Sequence, residues 1–164
     1  MCIRDRLNSQ YIKEMDTAQL AEALAPLVAA KYPAASFKGK DIEHVVQLYK
    51  GRMNTLLDFL DWTGFLFKDQ LDFEEDVKAK HLSQDMHKEF SLLAERLSAV
   101  GEFNAQTAEE AFRAVVAQLS IEAGNLVHPV RVALTGRAVG PGLFDTMAVL
   151  GQARTVRRLR EAFK

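Results

Sequence analysis

The most complete helix signal in the chain is the stretch TAEEAFRAVVAQL at residues 107–119. Thr107 with Glu110 three residues later has the form of a capping box, and the apolar residues that follow recur at the three- and four-residue spacing of one helix face. These apolar residues are Ala111, Phe112, Val115, Val116 and Leu119. The pattern predicts a helix that is capped at Thr107 and ended by Gly124.

The N-terminal half of the chain carries two further helical stretches. Asp16 is a plausible N-cap for a helix over residues 17–30, which Pro26 should kink or divide because proline has no amide proton. From residue 41 to residue 67 the apolar positions again recur at helical spacing. Gly51 weakens this long helix, but we expect it to continue through the glycine.

Helix boundaries in the C-terminal half are marked by glycine and proline. Gly101 follows a helical stretch whose apolar residues end at Val100, and it suits the left-handed conformation that terminates many helices. His128-Pro129 opens the next helix, because proline is tolerated in a first turn. Gly136 then stops that helix.

Two short helices complete the chain. Pro141-Gly142 restarts a helix that ends at Gly151. The segment 154–163 then combines apolar residues at helical spacing with arginines, which predicts an apolar stripe under a cationic face. No convincing strand pair and no internal repeat is visible, so the predicted fold class is all-α.

The net charge of −1 hides an uneven distribution of charge. Residues 1–68 carry a net charge of +1, residues 69–123 of −7 and residues 124–164 of +5. A basic segment in a neutral chain is typical of a polyanion-binding face, and it is equally typical of a solvated helix face beside an acidic neighbour. Charge alone leaves both interpretations open.

The residue types that carry most enzyme chemistry are sparse. The single cysteine, Cys2, has no partner for a disulfide, and GRAVGPG at 136–142 lacks the spacing of a phosphate-binding loop. No two histidines have the i, i+4 spacing of paired metal ligands: His44, His81, His87 and His128. The acidic cluster at 72–76 is interpreted as a solvated face. We therefore predict no catalytic site, no metal site and no membrane span.

Three motifs resemble the bacterial and mitochondrial glutamyl-tRNA synthetases. The family pattern Pro-Leu-Arg-x-Ala-x-Thr-Gly, Pro-Gly-Leu, Leu-Gly and an Arg-Leu pair is similar to LVHPVRVALTGRAVGPGLFDTMAVLGQARTVRRLREA at 126–162. The family's Trp-x-Asn-x-x-Tyr-Ile resembles LNSQYI at 7–12, where the Trp is missing, and Arg-x-x-Thr-Leu resembles KGRMNTLLDF at 50–59. The resemblance covers residues 7–164 and leaves residues 1–6 as a leader outside the family, which we exclude from the fold.

The resemblance implies a helical anticodon-binding region with two subdomains. Residues 7–75 would hold the end of the stem-contact region and the first subdomain, and residues 76–164 the second. The family's catalytic half, with its ATP motifs, has no counterpart in these residues. We therefore expect the chain to be inactive alone and to bind no cofactor, whereas ATP and Mg²⁺ belong to the full-length family.

The implied partner is the glutamate tRNA. The resemblance implies a monomer joined to a catalytic half upstream, in the bacterial cytoplasm or the mitochondrial matrix and with no role at a membrane. Two alternatives stay open. One is a free-standing adaptor that binds tRNA or a protein without ligase chemistry, and the other is a helical protein–protein module with no RNA role.

Position matching to the family implies specific anticodon contacts. Arg52 falls where the family reads the third anticodon base, and Arg131 where it contacts the first; the alternative for each is an ordinary surface arginine. Leu143 matches a residue that packs on the first base. Gly140 and Pro141 fall beside the middle uridine, and Gly140 stands where some members have Thr, which puts a hydroxyl contact in doubt.

Further contacts with the tRNA are implied at both ends of the chain. Asn8 and Tyr11 match the motif on the stem side, although Tyr11 is equally well interpreted as a core or hinge residue. The arginines of the last helix would attract phosphates or form a plain solvated face: Arg154, Arg157, Arg158 and Arg160.

Overall fold

The computed structural model describes residues 3–33, 39–68, 71, 80, 82 and 86–163. Within these residues it contains nine α-helices, one 3-10 turn and no strand, which confirms the all-α prediction. The chain forms two compact units, Met1–Gln70 (unit 1) and Leu71–Lys164 (unit 2). The predicted subdomain boundary after residue 75 falls among residues 72–79, which lie outside the described part.

The described part of unit 1, residues 3–33 and 39–68, contains four helices. These are α1 (Ile3–Glu14), α2 (Thr17–Lys31), α3 (Gly39–Tyr49) and α4 (Leu56–Phe67), with a 3-10 turn at Lys50–Arg52. Helices α2 and α3 pack against each other, and both contact α4. The core of unit 1 includes Leu20, Leu24, Val28, Val45, Val46, Tyr49, Met53, Phe59 and Leu66.

The first helix includes part of the segment that we excluded as a leader. Helix α1 begins at Ile3, so residues 3–6 continue the helix that contains the LNSQYI motif. The helix ends near Met15, whose backbone N–H donates to Tyr11 O at 2.9 Å. The exclusion of these residues from the fold was therefore wrong for residues 3–6, since helical backbone continues through them.

Helix α2 runs from Thr17 to Lys31 without a break, so of the two outcomes predicted for Pro26, a kink or a division, the division was wrong. Asp16 is the N-cap, as predicted, and its Oδ1 accepts a hydrogen bond from Ala18 N at 2.8 Å. Pro26 lies inside the helix with its ring exposed to solvent. Only one backbone hydrogen bond is lost there, while Leu20, Leu24 and Val28 keep their side of the helix buried.

The predicted long helix over residues 41–67 is two helices. Helix α3 ends at Tyr49, and α4 starts after a capping box in which Thr55 Oγ1 accepts from Asp58 N at 3.2 Å. Asp58 Oδ2 in turn accepts from Asn54 N at 2.8 Å and Thr55 N at 2.9 Å. The apolar spacing continues through the break because Met53 is also buried, so periodicity alone did not reveal it.

The hydrogen bonds at this cap control the charge of Asp58. Burial on its own would raise the pKa of Asp58, but the hydrogen bonds from Asn54 N, Thr55 N and the Thr55 side chain together outweigh it. The pKa of Asp58 is therefore held below the ordinary aspartate value.

Between residues 86 and 163, where the structure describes every residue, unit 2 contains five helices. These are α5 (His87–Ser98), α6 (Ala105–Leu119), α7 (Ala123–Thr135), α8 (Leu143–Leu150) and α9 (Gln152–Glu161). Helix α5 packs between α6 and α9, α6 also packs on α8, and α9 contacts both α7 and α8. The core of unit 2 includes Phe90, Leu93, Leu97, Phe112, Val115, Leu126, Val130, Leu134, Met147 and Leu159.

The start and end of α6 differ from the prediction. Asn104, not Thr107, is the N-cap: Asn104 Oδ1 accepts from Thr107 N, and Thr107 Oγ1 accepts from Asn104 N, both at 3.0 Å. Asparagine caps helices at least as well as threonine, so the box lies three residues earlier. The helix ends at Leu119 with Ser120 in the left-handed conformation (φ 53°), well before Gly124.

Helix α7 also begins earlier than predicted. It starts at Ala123, so Gly124 lies in its first turn and Pro129 in its interior, where the missing donor leaves one carbonyl of the first turn without its helical partner. Gly136 stops the helix as predicted, with φ 74°. The prediction of a left-handed Gly101 was wrong, because among the described glycines only Gly136 and Gly151 have positive φ.

The two short helices at 143–161 follow the prediction closely. Helix α8 begins directly after Gly142 and ends at Gly151. Gln152 then starts α9 and links it to α5, because its Nε2 donates to Leu97 O at 2.9 Å and Val100 O at 2.7 Å. Val156 and Leu159 form the buried stripe of α9.

Candidate nucleic-acid interface

The loop between α7 and α8, residues 136–142, is fastened at its start by backbone and hydroxyl hydrogen bonds. Gly136 N donates to Val132 O at 2.8 Å. Thr135 Oγ1 donates to Arg131 O at 2.9 Å and accepts from Arg137 N at 3.2 Å. The last turn of α7 and the first residue of the loop therefore form one bonded unit.

The other end of this loop is fastened by Arg131. Arg131 Nη1 donates to Pro141 O at 2.5 Å, across ten residues of sequence. A Cβ built on Gly140 would lie 3.3 Å from the same nitrogen, so the loop backbone passes directly against the guanidinium. The structure thus brings together Arg131, Gly140 and Pro141, which the family resemblance assigned to neighbouring anticodon bases.

Leu143 is placed differently from the prediction. Its side chain is only 4% exposed, and Pro141 is also buried, so both lie in the core of unit 2 at the start of α8. Leu143 therefore has little surface with which to pack on a base. Gly140 is half-buried.

The exposed aliphatic residue of the loop, Val139, was not among the residues singled out from the sequence. Val139 is 83% exposed, the largest value among the exposed large hydrophobic residues of the described chain. The signal was present in the sequence, because Val139 is an aliphatic residue in a segment where Gly136, Gly140 and Gly142 indicate a turn.

Arg52 belongs to unit 1 and is the last residue of the 3-10 turn. It is exposed, while the next residue, Met53, is completely buried. On the other side of Arg52, Lys50 Nζ donates to Met15 O at the end of α1. The backbone on both sides of Arg52 is therefore anchored, and the first turn of α4 that follows presents Leu57, 63% exposed.

The residues predicted to contact the stem side lie on α1. Asn8 is exposed, and Tyr11 is 68% exposed. The interpretation of Tyr11 as a core residue was therefore wrong. The ring of Tyr11 is presented to solvent. The next residue, Ile12, is buried and therefore lies on a different side of the helix.

The arginines of α9 divide into two groups. Arg158 is 4% exposed, and its Nη1 donates to Leu134 O in the last turn of α7 at 2.5 Å. The prediction of a phosphate contact was wrong for this residue, because the guanidinium is used inside unit 2. Arg154 is half-buried, whereas Arg157 and Arg160 are exposed and line an open groove of about 450 Å³ beside Ser98.

Two findings concern the titratable groups of the described residues. No three His, Cys, Asp or Glu residues there are placed to hold a metal ion. Lys31 donates to Asp61 at 2.8 Å, and this hydrogen bond outweighs desolvation and raises the pKa of Lys31. His81 and the acidic cluster at 72–76 lie outside the described residues.

None of the described helices is long and apolar enough to cross a membrane.

Two curated proteins to which this chain is similar are both named as glutamate–tRNA ligases. The chain is 35% identical over 164 residues to "Glutamate–tRNA ligase 2" of Thermoanaerobacter pseudethanolicus and 34% identical over 156 residues to the "Glutamate–tRNA ligase" of Geobacter sulfurreducens. Each match covers 95% of this chain and 33% of the relative. The chain therefore spans about a third of the length of these relatives.

Solved structures give the same fold. A glutamate tRNA ligase from Elizabethkingia meningosepticum, crystallised in complex with its amino acid, matches 97% of this chain and 31% of its own with a TM-score of 0.88 and 21% identity. The glutamate-tRNA synthetase of Elizabethkingia anophelis matches 97% of this chain with a TM-score of 0.82. A family profile described as "Anticodon binding domain" matches residues 19–163. With the match spanning most of both units, this chain belongs to the anticodon-binding domain family.

Proposed function

We propose that the chain binds the anticodon loop of a glutamate tRNA as the RNA-binding part of a glutamate–tRNA ligase. The observation that carries the proposal is the hydrogen bond from Arg131 to Pro141 O, which orients a guanidinium against the backbone of the loop at 136–142. Membership of the anticodon-binding domain family supports an RNA partner, and the names of the matched relatives support glutamate tRNA.

The chemistry of an arginine at the position of Arg52 suits the cytosine that glutamate tRNAs carry as the third anticodon base. Proteins read RNA sequence mainly on unstacked bases, through hydrogen bonds to their Watson–Crick edges. A guanidinium offers paired N–H donors and no acceptor, so it complements the acceptors of cytosine and opposes the donor edge of guanine. In this proposal Arg131 reads the first anticodon base and Arg52 reads the third.

The remaining parts of the proposal concern the rest of the enzyme. ATP, Mg²⁺ and glutamate would be bound by the two thirds of the relatives that this chain does not span. The chain alone would be a monomer without ligase activity. Because the matched relatives are bacterial proteins, we place it in the bacterial cytoplasm.

Fluorescence anisotropy with a labelled glutamate anticodon stem-loop tests the proposal. The chain should prefer the loop with C at the third anticodon position over the same loop with G, by about 1 to 3 kcal/mol if the arginine makes a bidentate contact. Arg52→Gln should remove this preference. Arg113→Gln is the matched control, because Arg113 is an exposed arginine paired with Glu109 at 2.6 Å on α6.

The salt dependence of the same titration reports how many phosphates the chain contacts, whereas the preference for C over G separates base reading from nonspecific binding. Binding should weaken with salt at a logarithmic slope near 0.7 per phosphate contacted. Equal affinity for both loops, with Arg52→Gln and Arg113→Gln behaving alike, would count against anticodon reading. No RNA binding at all would favour a protein-interaction module.

A further inference from the structure

Arg158 is a charged side chain that lies inside unit 2. It is only 4% exposed, and no other charged residue of the described chain is buried to this extent. Charged side chains are almost never fully buried unless a partner accepts their hydrogen bonds. An apolar side chain of similar volume fills such a space without the cost of desolvating a cation. Packing alone therefore does not account for an arginine at this position.

The bond that Arg158 makes lies at the end of α7. Its Nη1 donates to Leu134 O at 2.5 Å. The last carbonyls of a helix have no donor within the helix, and Val132, Ala133 and Leu134 are each at most 1% exposed, which keeps water away from them. Gly136 N donates to Val132 O at 2.8 Å, and Arg158 supplies the donor for Leu134 O. The positive guanidinium also faces the negative end of the helix dipole.

The same turn of α7 carries the backbone of Arg131. Arg131 lies three residues before Leu134, and its carbonyl accepts from Thr135 Oγ1 at 2.9 Å. Thr135 Oγ1 also accepts from Arg137 N at 3.2 Å, which joins the start of the loop at 136–142 to this turn. A shift of the turn would therefore move Arg131 and the loop together. Recognition groups have to stay within about 0.5 Å of their productive position, so such a shift would weaken recognition.

Arg158 projects from a helix that is itself fixed. Gln152 Nε2, at the start of α9, donates to Leu97 O of α5 at 2.9 Å. Leu159, the residue after Arg158, is 1% exposed and belongs to the core of unit 2. The bond from Arg158 to Leu134 O therefore connects the end of α7 to a fixed part of unit 2 that lies 24 residues later in the chain.

We propose that Arg158 is a positioning residue for anticodon recognition: by donating to Leu134 O, it holds the last turn of α7 where Arg131 can read the first anticodon base. The inference rests on the proposed function and adds to it a residue that does not touch RNA. Because its guanidinium is buried, Arg158 acts on recognition only through α7.

Fluorescence anisotropy of the chain with three labelled RNAs tests this role. These are the glutamate anticodon stem-loop, the same loop without its first anticodon base, and the loop with G at the third position. Loss of the first base should weaken binding by the wild type about tenfold, as expected for a bidentate contact. In Arg158→Met, which fills the space without donating, the same loss should cost only about two- to threefold, because Arg131 is no longer held in place. The preference for C at the third position should be unchanged, since Arg52 belongs to unit 1.

Ratios between the RNAs separate positioning from a general loss of stability. A variant that only lowers the folded fraction weakens apparent binding of every loop by the same factor and leaves the ratios unchanged. Val115→Ala is the control for this case, because it removes buried methyl groups from α6 and leaves Arg158 and Leu134 in place. Arg157→Met, at an exposed arginine one residue before Arg158, should also leave the ratios unchanged.

Two further variants cover the chemistry of the donor. Arg158→Gln is two atoms too short to reach Leu134 O, and it should reduce the effect of the first base as Arg158→Met does. Arg158→Lys keeps a cation and a donor, so it should retain more of this effect than either. Circular dichroism establishes that each variant is folded.

The inference is overturned if Arg158→Met and Arg158→Gln keep the full effect of the first base, or if they lose the preference for C in the same proportion. Unfolding of both variants would also overturn it, because Arg158 would then be needed for the fold of unit 2 and not for the placement of Arg131. A wild type that prefers C but ignores the first base overturns it as well. In all these cases the preference of the wild type for C upholds the proposed function, and the absence of both effects from the wild type would contradict the two together.

Discussion

The loop at 136–142 is held by Arg131, an arginine that is itself proposed to read a base. The turn that carries Arg52 is instead held by the residues on either side of Arg52. Arg131 donates to Pro141 O and so holds the loop with the same side chain that is proposed to read a base. At Arg52 the backbone is fixed by Lys50 on one side and by the Thr55–Asp58 capping box on the other. Stability and recognition are therefore coupled in one side chain in unit 2 and divided among several residues in unit 1.

The largest effect is expected at Arg158, which donates to Leu134 O in the last turn of α7, just before the loop at 136–142. Arg158→Met removes a buried hydrogen bond and leaves Leu134 O without that donor, which should lower the free energy of unfolding of unit 2 by about 2 kcal/mol. Hydrogen exchange of the amides of α7 and α9 measures it. Arg157→Met, an exposed arginine one residue earlier, is the control. Equal changes for the two variants would contradict a structural role for Arg158.

The second largest effect is expected at Arg131, whose side chain both holds the loop and is proposed to read a base. Arg131→Gln should weaken binding of the anticodon stem-loop by about 1 to 3 kcal/mol, because it removes the guanidinium fork and its bond to Pro141 O together. Arg131→Lys should recover only part of this loss, since an ammonium keeps the charge without the fork. Full recovery by lysine, measured by anisotropy, would show that charge alone is needed.

The corresponding change in unit 1 removes the capping residue Asp58 and leaves Arg52 in place. Asp58→Ala should lower the free energy of unfolding by about 1 kcal/mol and reduce the preference for C at the third position. Urea unfolding followed by the single tryptophan, Trp62 in α4, reports this unit. Asp61→Ala is the control and should cost less, because Asp61 forms an exposed ion pair with Lys31.

The cost of Asp58→Ala should also depend on pH. Since the folded state lowers the pKa of Asp58, its contribution is complete above the unfolded pKa and is lost as the pH falls through the folded value. The difference between wild type and Asp58→Ala should therefore be present at neutral pH and shrink in acid. A difference that grows in acid would contradict this assignment.

The smallest effect is expected at Gly140. Its φ is not left-handed, and a Cβ there would meet only the end of the flexible Arg131 side chain, at 3.3 Å. Gly140→Thr, the residue that some family members carry, should change the free energy of unfolding by less than about 0.5 kcal/mol. A large loss in thermal unfolding would mean that Arg131 has no room to move.

Some helix boundaries in the two units could be predicted from the sequence, and others could not. Glycine and proline predicted the stop at Gly136 and the restart before Leu143, because these residues act through their own backbone. The break after Tyr49 was hidden, since Met53 continues the apolar spacing through it. The cap of α6 was misplaced because Asn104 and Thr107 are both able to cap and local pattern does not choose between them.

The residues of the candidate site also fall into those that the sequence placed correctly and those that it did not. Position matching named Arg131, Gly140 and Pro141, and the structure brings these three together. It did not foresee the burial of Leu143 and Arg158, because burial depends on partners far along the chain. For Arg158 that partner is Leu134 O, 24 residues earlier.

That separation has a consequence for synthesis of the protein on the ribosome. Leu134 is synthesised 24 residues before Arg158, so the last turn of α7 must wait for α9 before its carbonyl at Leu134 gains this donor. Domains made from the N-terminus form their local contacts first and their distant ones later. The helix end that precedes the loop at 136–142 is thus completed only after α9 has been made, and a chain that stops before Arg158 would lack this hydrogen bond.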